Sequence, residues 1–98
     1  MTMTVRCVKP GELVRSQAGR DGDKHFIVLN ILDPDYLLIA DGHYRKVENP
    51  KKKKIKHLRC TGLVATEIGE MLQQGKTPAN AQVSGALRRL LETLETGS

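Results

Sequence analysis

The strongest pattern in the chain is the run His25 to Leu32. In it Phe26 and Val28 fall on one side of an extended backbone, and Ile27, Leu29 and Ile31 on the other. A run apolar on both sides predicts a central strand, or one curling into a small barrel. Leu13 to Ala18 reads as a shorter strand between the opening turn Lys9-Pro10-Gly11 and the polar turn Gly19-Arg20-Asp21-Gly22-Asp23. Asp33-Pro34-Asp35 predicts a turn into a third strand, Tyr36 to Ala40. Asp41-Gly42 has the composition of a two-residue hairpin turn, which places a returning strand at His43 to Val47. Glu48-Asn49-Pro50 then breaks the pattern, so Lys51 to Lys54 reads as a loop and Ile55 to Thr61 as a last strand with Leu58 and Cys60 inward. Five short strands with turns every eight to twelve residues or about that predict a small barrel.

Beyond Gly62 the period lengthens. Val64, Ile68, Met71 and Leu72 have helical spacing, with Gly75 at the C-cap position. Thr77-Pro78 predicts the next helix start, with Thr as N-cap and Pro first in the helix. Val83, Ala86, Leu87, Leu90, Leu91 and Leu94 form one apolar stripe along it. The expected class is α+β: a β-barrel unit over residues 1–62, then a helical extension over 63–98 that packs on it or trails as a tail. The stripe is read first as packing over one mouth of the barrel. Its other uses would be to dock a partner helix or to pair weakly with a second copy as a homodimer.

A length of 98 residues bounds this to a single domain, and one Phe, two Tyr and no Trp leave an aliphatic core. No apolar run approaches the ~20 residues that cross a bilayer, and MTMTVRCVK lacks the apolar centre of a secretion signal. A cytoplasmic protein without membrane contact is expected. Cys7 and Cys60 stand far apart with no CxxC spacing, and read as reduced thiols. His25, His43 and His57 have no ligand-like spacing, so neither a metal nor another cofactor is expected.

Charge changes the picture most. Arg45 to Arg59 holds eight of the sixteen Lys and Arg residues against a single acid, Glu48, and the remainder of the chain carries eight bases and ten acids. The +5 net charge is therefore one local cluster, which calls for a polyanionic partner. Lys51, Lys52, Lys53 and Lys54 on a loop could splay along a nucleic-acid backbone; the plainer alternative is a solvated charge run. Arg20, Arg45, Lys46, Lys56 and Arg59 would extend the same surface, although Arg20 could equally bridge to Asp21 or Asp23. Tyr44 and His57 are flat groups suited to stacking on unpaired bases, with core packing favoured for Tyr44. Nothing suggests catalysis or a small-molecule substrate: there is no glycine-rich phosphate loop between strand and helix, and no close Ser/His/Asp set.

By Leu58 the chain has shown the pieces of a resemblance. Gly11-Glu12-Leu13-Val14, Ser16-Gln17-Ala18-Gly19-Arg20-Asp21 and the Phe26 to Ile31 strand together resemble a KOW motif. Ala40-Asp41-Gly42, Arg45-Lys46-Val47 and ENPKKKKIKHL are similar to the short bacterial KOW-domain RNA-binding proteins, themselves similar to KOW-bearing large-subunit ribosomal proteins of archaea and eukaryotes. The likeness spans residues 9 to 60. One departure is the turn, where the family usually follows Gly-Arg-Asp with Lys and Gly and this chain has Gly22 and Asp23. The resemblance implies an SH3-like barrel, RNA as ligand and association with ribosomes or ribosomal RNA; the cations Arg20, Arg45, Lys46, Lys51–Lys54, Lys56 and Arg59, with His57 for stacking, are the expected contacts. A protein-interaction module using the barrel or the leucine stripe is the alternative.

Overall fold

The computed structural model describes residues 8–17, 22, 24–33 and 35–96. Five strands come first: β1 (Glu12–Ser16), β2 (His25–Asp33), β3 (Tyr36–Ala40), β4 (Lys51–Lys54) and β5 (Leu58–Val64). Two helices follow, α1 (Thr66–Gln73) and α2 (Asn80–Thr96). All ladders are antiparallel and the strand order is β4-β3-β2-β1-β5. The α+β class and the strands-then-helices order are as the patterning predicts. Among the described residues no ladder joins β4 to β5, so the sheet keeps two edges; its order is compatible with an SH3-like fold.

Alternation along the strands builds two cores, one on each face. On one face Leu13, Ile27 and Ala40 meet Val47, Ala65, Ile68, Val83 and Ala86, with Leu29, Leu72, Leu87, Leu90 and Leu91 around them. Both helices therefore lie on this face, sharing one core with the sheet. On the other face Val14, Phe26, Val28, Leu37, Ile39 and Leu58 bury one another, with Val8, Ile55 and Cys60 at the margin. Among the described residues no α-helix contributes to that side. The link between the sheet's edges is short: β4 ends at Lys54 and β5 begins at Leu58, joined by one 3-10 turn, Ile55–His57. Ile55 N–H donates to Asp35 O at 2.8 Å and His57 O accepts from Gln17 N–H at 2.9 Å, so the turn is pinned at both ends.

Several expectations need correction. Ile31 does not share a face with Ile27 and Leu29. The β2–β3 register shifts between Val28 and Asn30, which pairs Ile31 with Leu37 and leaves it 39% exposed. One extra residue in a strand moves everything after it to the other face. The return strand is not His43–Val47, and the last strand starts at Leu58 instead of Ile55. α2 does not start at Thr77-Pro78 either. Ala79 is the N-cap: its carbonyl accepts from Val83 N–H, and Gln82 Oε1 reaches back to Ala79 N–H at 2.8 Å. Pro78 is instead buried. Ala18 and the turn Gly19–Asp21 lie outside the described residues, as does Cys7.

The Gly75 expectation holds. With φ +78°, Gly75 ends α1, Lys76 N–H bonding Met71 O and Gly75 N–H bonding Leu72 O in the Schellman pattern. Glu12, only 1% exposed, ties β1 to β5: its carboxylate accepts from Lys9 N–H at 3.1 Å and Gly62 N–H at 3.2 Å, across a bulge that sets Glu12 opposite Val64 and Val14 opposite Cys60.

Two glycine substitutions should move stability in opposite directions. A Cβ on Gly42 would sit 2.4 Å from Asn80 O at a φ of +78°, whereas one on Gly85, within α2, meets nothing within 4 Å. Gly42→Ala is expected to lower the urea midpoint by the equivalent of ~2 kcal/mol or more, and Gly85→Ala to raise stability by roughly 1 kcal/mol.

Candidate nucleic-acid interface

The lysine run is a strand, not a loop. Lys51, Lys52, Lys53 and Lys54 pair with Ile39, Leu38, Leu37 and Tyr36 of β3, satisfying the outer hydrogen-bonding edge of that strand. Pairing divides the ammonium groups two and two. Lys51 and Lys53 are half-buried opposite Ile39 and Leu37, so their methylene stems lie at the margin of the second core. Lys52 and Lys54 are exposed on the other face. There they bracket Tyr36: Lys52 Nζ stands 4.7 Å and Lys54 Nζ 5.8 Å from the ring centroid. Tyr36 is the residue that sequence reasoning missed. Only the register could have found it, because it sits opposite Lys54 once β3 and β4 are paired.

The segment between β3 and β4 has its own organisation. Asp41 is buried, and its Oδ1 accepts from His43 N–H and Arg45 N–H, each at 2.8 Å. Asp41 N–H and Gly42 N–H both donate to Arg45 O. A side chain holding two backbone donors competes with the ladder, and the predicted two-residue hairpin gives way to this closed loop. Tyr44 is lifted out of it, 80% exposed, which overturns the favoured core role. The His43 ring meets Tyr44 edge-on at 4.5 Å, and Lys24 Nζ stands 5.4 Å from its centroid.

α2 holds the far end of this segment. Asn80 Oδ1 accepts from Val47 N–H at 2.8 Å, and Asn80 Nδ2 donates to the Glu48 carboxylate at 2.9 Å. That amide first, and then the backbone N–H of Glu48, hold the Glu48 carboxyl below the usual carboxylate range; desolvation opposes them, and the charge of Lys46 adds the least.

Arg45 is half-buried, its Nη1 donating to Asn49 O at 3.4 Å, and with Lys24 and Lys51 it lines a small hollow beside Tyr44. Lys46 is exposed on the turn closed by Asn49 N–H and Lys46 O. Lys56 is exposed in the 3-10 turn and shares a hollow with Lys54 and Asp35; His57, next to it, is half-buried. Arg59 is exposed on β5, the opposite edge strand, and pairs across with Arg15. Arg20 lies outside the described residues. The fold thus gathers the cations into a Tyr36 group and a Tyr44 group, with Arg59 on a separate edge. Among the described residues no set of three His, Cys, Asp or Glu is grouped to hold a metal, and no helix is long and apolar enough to cross a membrane. Compared with protein-family models and with curated proteins, the chain matches none.

The Glu48–Asn80 contact gives a pH prediction. A carboxyl whose folded value lies below its unfolded one contributes its full stabilisation above the unfolded value, and loses it as pH falls through the folded one. NMR titration should show Glu48 titrating at lower pH in the native chain than in Asn80→Ala. The same variant strands the part-buried Val47 N–H and is expected to lose about 1–2 kcal/mol at neutral pH in urea unfolding.

Proposed function

We propose that this protein binds structured RNA, with ribosomal RNA the first candidate, as a ribosome-associated cytoplasmic protein. The lysine edge strand and its flanking cations are the docking surface. The observation that carries the reading is the geometry of β4: four lysines on an ordered strand, with Lys52 and Lys54 outward about a tyrosine. Alternate residues on a strand lie about 7 Å apart, close to the spacing of successive phosphates on an extended strand. Phosphate contacts of this kind fix position and orientation without reading bases. Charge alone asks only for a polyanion; the KOW resemblance is what names RNA.

The plainer role for lysines on an edge is to prevent pairing with another sheet. That role accounts for cations on β4. It leaves unaccounted the further cations, Lys24, Arg45, Lys46 and Lys56, carried on the turns around it. The rival use of α2 as a docking or dimerising face has little apolar surface to work with. Leu87, Leu90 and Leu91 are half-buried against the helix-side core, leaving Leu94 the one exposed leucine of the stripe, at 41%.

Binding to a ribosomal RNA fragment should weaken steeply with salt. For about four neutralised phosphates, log K is expected to fall against log[salt] with a slope of about −3. Replacing the exposed pair, Lys52 and Lys54, with Ser should flatten that slope by about 1.5 and leave the melting temperature unchanged. Affinity and slope that ignore the double substitution would remove β4 from the interface. Isothermal titration over a salt series makes the measurement.

A further inference from the structure

Tyr44 stands on a ridge between two hollows. Toward β2 and β4 is the small hollow with Lys24, Arg45 and Lys51; toward α2 is a groove of about 410 Å³ lined by His43, Ser84, Leu87, Arg88 and Leu91, and Asp41 lines both. An exposed aromatic ring is unremarkable on a loose loop, but this loop is fixed. Asp41 holds the His43 and Arg45 amides, the Cβ-less Gly42 sits against Asn80 and Ser84, and the His43 ring sets the orientation of Tyr44. The backbone that carries the ring is therefore ordered before binding, which lowers the cost of ordering on contact.

The lining selects a ligand chemistry. Leu87 and Leu91, half-buried on α2, make the groove apolar at its base, and the Tyr44 ring supplies a flat wall. The Asp41 carboxylate repels phosphate from the interior, while Arg88 on α2 and Lys24 and Arg45 across the ridge attract phosphate outside it. A flat, uncharged ring flanked by phosphates fits this arrangement. We infer that the groove between the Tyr44 loop and α2 receives one unpaired nucleobase of the bound RNA, stacked on Tyr44, with its flanking phosphates on Arg88 and on Lys24 and Arg45. This rests on the RNA-binding reading and extends the interface from the sheet onto the helical part of the chain. The site is indifferent to base identity, because every base offers a π-face.

The probe is a single-stranded oligouridylate carrying one 2-aminopurine, whose fluorescence is quenched on stacking. The full chain should quench it on binding. Tyr44→Phe should retain the quenching with affinity within about twofold, whereas Tyr44→Ala should abolish it and weaken binding by about 5- to 150-fold. Arg88→Ser should weaken binding several-fold and flatten the salt slope by about 0.7 while keeping the quench. Tyr44 is a surface side chain, so these variants should melt with the native protein. If Tyr44→Ala binds and quenches as the native chain does, while Lys52 and Lys54 to Ser still loses affinity, the groove is not a base site and the lysine edge stands. If the native chain binds neither this oligonucleotide nor a ribosomal RNA fragment, the base site and the RNA reading fall together.

Discussion

Three residues join the two outermost strands of the sheet, and most of the architecture follows from that. In a flat five-stranded sheet the edges would lie about 19 Å apart, given strand spacings of about 4.8 Å. The step from Lys54 to Leu58 could reach only about 14 Å if fully extended, and a 3-10 turn shortens it further. The sheet has to curl, bringing the end of β4 round to the start of β5. Curling is what lets Val14, Phe26, Val28, Leu37, Ile39 and Leu58 bury one another on a face to which, among the described residues, no α-helix contributes. It also fixes where the lysines go. β4 cannot swing away from β3, because the turn after it is hydrogen-bonded to Asp35 on one side and to Gln17 on the other.

The helices act on the same surface from behind. Asn80, the first residue of α2, spends its amide on both Val47 and Glu48. Gly42 lets the backbone of the Tyr44 loop lie against α2 at a distance no side chain would permit. α2 in turn is seated by Val83 and Ala86 in the helix-side core and braced to α1 through the Arg89–Glu67 ion pair on the surface. The helical part is therefore the support on which the loop between β3 and β4 is shaped, and a defect in its seating would reach the cationic surface through Asn80.

How far the sequence could be read depends on the range of the interaction that decides each element. β2, the stripe on α2 and the Gly75 stop are written in local periodicity and in one residue's backbone freedom, and these are legible. The lysine strand is not, because nothing local favours four adjacent cations in a ladder. The deciding partner is β3, whose edge groups need satisfying and whose residues supply apolar surface for the stems of Lys51 and Lys53. Asp41-Gly42 misleads for a related reason. Its composition suits a two-residue turn, but the Asp41 side chain captures two amides, and the loop has to satisfy α2 as well. Thr77 loses the N-cap place because Pro78 is drawn into the core, moving the helix start to Ala79 and Asn80. The cluster of charge was plain in the sequence, whereas its division between Tyr36 and Tyr44 required the fold.

Ordering the lysines on a strand changes the energetics of meeting an anion. On a flexible loop, each residue immobilised at an interface would cost about 1–2 kcal/mol of backbone entropy. On β4 that cost is met during folding by the ladder with β3. What folding leaves in place is repulsion, since Lys52 and Lys54 rise from one face of the strand at positions about 7 Å apart, within the ~8 Å screening length at physiological salt. Alternation about the sheet and the electron-rich face of Tyr36 reduce that repulsion without removing it. A polyanion laid along the edge removes it, and gains attraction from the same charges. The strand therefore carries a standing preference for a row of negative groups, built in by the very pairing that makes it a strand.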